Sequence, residues 1–130
     1  MFHSSGLAGS ASRRYAAIHA GSRVESASPH GLVKILFDEL LLAIDAVSVA
    51  LDQADTGKAN DKNMRALSIV QALDSSLDFD KGGDVALSLA QIYRETKRLM
   101  LVAIQTGNGA ESRKAHAIIS EIADAWSQIR

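Results

Sequence analysis

Helical spacing of apolar residues is the feature that most restricts how this chain of 130 residues folds. Apolar side chains recur every three or four positions through most of the sequence, and almost no stretch alternates between apolar and polar residues. Proline occurs once, at Pro29, so helices elsewhere are not interrupted by it. The sequence therefore predicts an all-α fold.

Start and stop signals divide this helical pattern into segments. Ser28 followed by Pro29 is typical of an N-cap and a first helical residue. Breaks rich in Gly and Asp follow at residues 55–57, 78–83 and 107–109. We predict four helices, at about 29–54, 60–77, 84–106 and 110–129. Their short links favour an antiparallel up-down four-helix bundle over residues 29–130.

The part of the chain before Pro29 has a different composition. Residues 1–11 are rich in Ser, Gly and Ala and are predicted to be a disordered tail. Residues 12–28 are predicted to be a separate N-terminal segment that holds a short additional helix, at about 13–20. The bundle is then the one folded domain, and a hydrophobic fraction of 47% suffices for its core.

Composition and motif spacing exclude several functions. A net charge of -1 argues against nucleic-acid binding, and the absence of cysteine removes disulfides and thiolate catalysis. The apolar runs are too short for a secretion signal or a membrane span, so we expect a cytoplasmic protein without membrane insertion. No histidine has an acid three residues before it, and Asp38, Asp45 and Asp52 are spaced about two helical turns apart. We predict no enzyme activity, no metal and no cofactor.

Two of the predicted helices carry more apolar surface than a bundle requires. One apolar stripe per helix is enough to build the core. The 29–54 helix has such a stripe and a second apolar line on nearly the opposite side, and the 84–106 helix, whose core stripe is predicted to begin at Val85, repeats this more weakly. We predict that these extra residues bind a partner helix in a groove: Ile35, Leu42, Val49, Leu87 and Leu101.

Three alternatives to a binding groove are compatible with the extra apolar residues. The chain's own packing could bury them, the N-terminal segment could cover them, or a second copy of the chain could. The runner-up function is therefore a structural homodimerisation module. Light scattering separates a stable dimer from the monomer or weak homodimer expected of a peptide-binding bundle.

Three stretches, in order along the chain, resemble a known family. They are VESASPHGLVKILFDELL at residues 24–41, LDSSLDFDKGGDVALSLAQIY at residues 73–93 and DAWSQI at residues 124–129. Together they resemble the FliS family of flagellin-specific export chaperones, from about Tyr15 to the end of the chain. Two positions depart from the family pattern, because Phe37 and Glu95 stand where tyrosine is common.

The resemblance implies a small antiparallel helical bundle in the cytosol. Such chaperones bind the C-terminal segment of flagellin, prevent its premature polymerisation and assist its delivery to a component of the flagellar export gate. The resemblance also implies that the N-terminal segment covers part of the binding surface in the free chaperone. Our hypothesis is that Tyr15 and Ile18 hold residues 12–20 over the groove as a removable lid.

Overall fold

The computed structural model describes residues 28–129, and all regular structure within that range is helical. Four helices follow one another: α1 at Pro29–Asp52, α2 at Thr56–Ser75, α3 at Phe79–Thr106 and α4 at Gly109–Ser127. The predicted all-α class and the four helices are confirmed for this range. The predicted tail at residues 1–11 and the short helix near residues 13–20 lie outside the described residues.

Side-chain caps explain where the helices begin. The Ser28 hydroxyl accepts a hydrogen bond of 3.0 Å from the backbone N–H of Gly31. Asp55, Asp78 and Asn108 cap the other three helices in the same manner. A cap of this kind stabilises a helix by about 1 kcal/mol. The cap at Asp55 explains why α2 begins at Thr56 and not near residue 60.

The predicted break at residues 78–83 is a short linker followed by a kink. The first turn of α3 precedes Gly83, whose φ of 51° and ψ of -126° are not helical. A side chain rarely tolerates this left-handed φ, whereas glycine adopts it readily. The neighbouring Gly82 is also restricted, since a Cβ atom there would lie 2.9 Å from the Cβ atom of Ala86. The two glycines therefore allow the chain to change direction inside α3.

Replacing Gly83 by alanine is expected to lower the free energy of unfolding by about 1–3 kcal/mol, because the side chain is strained at this φ. Urea unfolding followed by far-UV circular dichroism measures the loss. Gly57→Ala is the matched control, because Gly57 lies in the first turn of α2 and has no positive φ. A Cβ atom added at Gly57 would have the Asp55 Oδ1 atom, at 3.9 Å, as its nearest neighbour. A Gly83→Ala protein as stable as the wild type would contradict the assignment of strain to this kink.

The helices pack as a closed ring around one core. α1 packs mainly against α2 and α4, and α3 packs mainly against the same two helices. Fully buried apolar side chains from all four helices fill the centre, among them Leu40, Ile44, Ile69, Met100 and Ile119. A buried pair of hydroxyls 2.6 Å apart, Ser48 and Ser112, joins α1 to α4.

The first part of α3 extends past the end of α2. Gln71, near the end of α2, accepts a hydrogen bond of 3.3 Å from Lys97 in the second half of α3. Only the linker 76–78 joins the two helices, so the first turns of α3 lie beyond the end of α2. The prediction that Val85 belongs to the core stripe is wrong, because its side chain is 66% exposed. The position of Val85 beyond the end of α2 explains this exposure.

A ring stack closes the bundle where α1 begins and α4 ends. The rings of His30 and Trp126 lie 4.6 Å apart and nearly parallel. Trp126 donates from Nε1 to the carbonyl oxygen of His30, and His30 Nε2 lies 3.0 Å from the carbonyl oxygen of Trp126. Phe37 meets the indole edge-on. The stack ties together residues that are far apart in sequence.

Candidate functional site

One side of α1 points away from the core and forms the outer face of α1. It consists of residues at helical spacing that are exposed or partly exposed: Lys34, Asp38, Leu42, Asp45, Val49 and Asp52. Leu42 is 64% exposed and Val49 is 43% exposed. Large apolar side chains at this exposure forgo the stabilisation that burial would give them. Two of the five predicted binding residues therefore lie on an open surface.

Ile35 belongs to the same heptad line but is placed differently. Its side chain is only 6% exposed, unlike those of Leu42 and Val49. It lies toward the α2 side of α1, as does Glu39, whose carboxylate accepts a hydrogen bond of 2.7 Å from Arg65 of α2. Ile35 is therefore buried, whereas Leu42 and Val49 are open, and the prediction that Ile35 contacts a partner stays a prediction.

α3 has an open side of its own, the outer face of α3. Its members follow helical spacing and all are exposed: Leu87, Gln91, Arg94, Arg98, Leu101 and Gln105. Leu87 is 54% exposed and Leu101 is 53% exposed. Arg98 donates two hydrogen bonds, of 2.9 and 2.7 Å, to the adjacent Glu95. These bonds hold the pKa of the Glu95 carboxyl below its ordinary value, so it stays ionised beside the face.

The two outer faces lie on different sides of the bundle. In the ring of helices, α2 and α4 separate α1 from α3. Residues of α1 and α3 that point away from the common core therefore point in different directions. Leu42 and Val49 form one patch, and Leu87 and Leu101 form another. A single partner chain can contact both patches only if it passes around the bundle.

A pocket of about 310 Å³ opens at the end of the bundle where α3 extends past α2. Its apolar lining comes from α1, the linker 76–78, α3 and α4: Val33, Phe37, Leu77, Val85, Ala86, Leu89, Tyr93 and Trp126. Asp78 and Lys81 also line it. Burial, with a smaller contribution from the charge of Asp74, raises the pKa of Tyr93 well above its ordinary value. Tyr93 therefore remains an uncharged phenol and does not act as a base.

Sequence reasoning missed this pocket, because its walls come from segments separated by long stretches of chain. The available signal was the placement of Phe37, Tyr93 and Trp126 in three different predicted helices. It also missed four exposed apolar side chains: Met64, Phe79, Val85 and Ile129. Phe79 lies in the predicted break at residues 78–83, where the exposure of an apolar side chain carries little information.

The described residues hold neither a metal-binding cluster nor a membrane-spanning helix. Between residues 28 and 129 there is no group of three or more His, Asp or Glu residues that could hold a metal ion. No helix in that range combines the length and the apolar character that crossing a bilayer requires.

Comparison with known proteins gives a consistent set of similarities. The family model described as flagellar protein FliS matches residues 11–130. The flagellar secretion chaperone FliS of Salmonella typhimurium is 32% identical over 130 residues, which cover 99% of this chain and 93% of that protein. The proteins of the same name from Escherichia coli and Vibrio cholerae are 31% and 28% identical, each over 88% of this chain and 85% of its own length.

Proposed function

We propose that this chain, which belongs to the FliS family of flagellar proteins, is a cytoplasmic export chaperone for flagellin. In this proposal the chain binds the C-terminal segment of flagellin, prevents premature polymerisation and assists delivery to the flagellar type III secretion apparatus. A component of the export gate is the second partner. The chaperone role needs no catalytic group.

The observation that carries this proposal is the exposure of leucines on two helices that also build the core. Leu42, Leu87 and Leu101 are each more than half exposed, although their helices also supply fully buried core residues such as Leu40, Ile44 and Met100. Burying a large aliphatic side chain contributes about 1.5–3 kcal/mol. A partner that covers several of them gains enough to bind without any covalent or metal chemistry.

The proposed mechanism is sequestration by mass action. The flagellin segment that lies on these faces is unavailable for self-association for as long as it is bound. The segment orders as it binds, and the entropy it loses moderates the affinity. Moderate affinity suits an export chaperone, because the client has to leave at the secretion apparatus.

We further propose that the four helices alternate in direction along the bundle. The ends joined by His30 and Trp126, and the contact of Ser48 with Ser112 farther along the same two helices, support an antiparallel α1 and α4. In this arrangement the client passes around the bundle from the outer face of α1 to the outer face of α3.

The direct test is copurification of this chain with flagellin that carries or lacks its C-terminal segment. Full-length flagellin is expected to be retained in a one-to-one complex, and the truncated protein is expected to be lost. Retention of the truncated flagellin would place the binding determinant elsewhere. Light scattering on the free chain decides the alternative function, since a stable dimer that hides Leu42 would favour a homodimerisation module.

The N-terminal lid is a separate proposal that concerns Tyr15 and Ile18, which lie outside the described residues. Deletion of residues 1–20 is expected to tighten binding of the flagellin segment several-fold, because the client no longer competes with a tethered segment. Isothermal titration calorimetry measures the change. Deletion of residues 1–11 alone is the control, since it keeps both proposed lid residues. Weaker binding after the longer deletion would make the segment part of the site.

A further inference from the structure

The outer faces of α1 and α3 carry opposite charges around similar apolar residues. On α3, Arg94 and Arg98 are the charged residues of the face between Leu87 and Leu101. The exposed acid Asp84 lies one turn before Leu87, and Glu95 lies beside Arg98. On α1, the charged residues that surround Leu42 and Val49 are three aspartates and one lysine: Asp38, Asp45, Asp52 and Lys34. The charged face residues between the two apolar side chains of each patch are therefore cationic on α3, where they are Arg94 and Arg98, and anionic on α1, where the residue is Asp45.

Local ion pairs reduce the difference in charge between the two outer faces but do not remove it. Arg98 is paired with Glu95, while Arg94 is exposed and forms no ion pair with any residue of the range 28–129. On α1, Asp52 is paired with Arg113 across 3.0 Å, and Asp38 is paired with Lys34 across 3.4 Å. Asp45 has no cationic partner among the described residues. Each face therefore keeps at least one exposed charge of its own sign.

We propose that the outer face of α3 binds an amphipathic helical segment whose apolar stripe is flanked by aspartate or glutamate. Leu87 and Leu101 lie about 21 Å apart along the helix axis, at about 1.5 Å per residue. A partner helix of about four turns thus spans both leucines and places its flanking residues beside Arg94 and Arg98. Carboxylates fit there, whereas lysines or arginines would meet like charges.

The opposite sign on α1 makes the same segment a poor fit there. Asp45 would repel its carboxylates, so the acidic segment is directed to α3 by rejection from α1 as well as by attraction. Apolar contact alone does not distinguish the faces, because each offers two large aliphatic side chains. The proposal rests on the chaperone function and deepens it, since it states which chemistry a client segment needs at α3.

Two synthetic peptides test this sorting directly. Both are helical and carry the same leucine stripe, but one is flanked by glutamate and the other by lysine. Methyl NMR spectra of the full chain are recorded with each peptide. The glutamate peptide is expected to shift the methyl signals of Leu87 and Leu101 and to leave those of Leu42 and Val49 unchanged. Shifts at Leu42 and Val49 instead, or equal shifts with both peptides, would overturn the proposal.

A variant with reversed charges on α3 provides a second test of the proposal. The variant with both Arg94→Glu and Arg98→Glu is expected to bind the glutamate peptide about tenfold more weakly in low salt, because two exposed ion pairs are replaced by repulsion. The difference is expected to shrink in about 0.5 M salt, where charges are screened over a few ångströms. The variant with Lys58→Glu and Lys62→Glu is the matched control, since it changes net charge equally on α2.

The same variants separate this proposal from the chaperone function. Binding of the flagellin C-terminal segment to the wild-type chain tests the chaperone function alone. If that segment binds and the glutamate peptide has equal affinity for the wild-type chain and the Arg94→Glu, Arg98→Glu variant, the charge assignment at α3 is wrong and the chaperone function stands. If the flagellin segment fails to bind, the chaperone function fails, while the peptide measurements still decide the chemistry of the face.

Discussion

A chain carrying Leu42→Glu is expected to bind the flagellin C-terminal segment about 10- to 100-fold more weakly than the wild type, at unchanged helix content. Leu42 is the most exposed of the five predicted binding residues, at 64%, so the substitution removes no core contact. In the complex the leucine contributes the burial of one large aliphatic side chain. Glutamate loses that contribution and adds the cost of burying a charge. Isothermal titration calorimetry measures the affinity, and circular dichroism measures the helix content.

Met64→Glu is the matched control for this substitution. Met64 is 70% exposed on α2 and belongs to neither outer face, so a similar loss of apolar area occurs outside the two proposed contact patches. Its affinity for the flagellin segment should stay within about twofold of the wild type, as is common for surface changes remote from a site. Unchanged affinity in Leu42→Glu would remove this residue from the binding surface. Equal losses in both variants would contradict the restriction of client contact to the two outer faces.

The class of fold followed from periodicity because helical spacing and caps are local properties of a sequence. Ser28 with Pro29, and Gly107 at the end of α3, mark helix ends whatever the rest of the chain does. The start of α3 was placed too late, because Gly83 interrupts the helical backbone after the first turn and not before it. A glycine pair marks a change of direction without fixing which side of it is helical.

The binding surface was only partly predictable. Helical spacing shows which residues share a side of one helix, and it placed Leu42, Val49, Leu87 and Leu101 away from the core stripes correctly. It does not show how helices are arranged around one another. Ile35 shares the heptad line of Leu42 and yet is buried, and α1 and α3 turn their open sides in different directions. Those outcomes depend on contacts between helices, which a single sequence does not display.

Replacing Trp126 by alanine is expected to have the largest effect on stability, a loss of about 3 kcal/mol. The substitution removes a partly buried ring that stacks on His30 and meets Phe37, and it removes the hydrogen bond from Nε1. A loss of this size is a large share of the stability of a small domain. Urea unfolding must be followed by far-UV circular dichroism, because Trp126 is the only tryptophan in the chain.

Trp126→Phe separates the packing of the ring from its hydrogen bond. Phenylalanine keeps much of the contact with His30 and Phe37 but cannot donate to the His30 carbonyl oxygen, so the expected loss is about 1 kcal/mol. His30→Ala has the complementary effect, because it removes the stacked imidazole and keeps that backbone oxygen. The two substitutions act on one contact, so the loss in the double variant should differ from the sum of the single losses. Strictly additive losses would show that the stack does not couple the start of α1 to the end of α4.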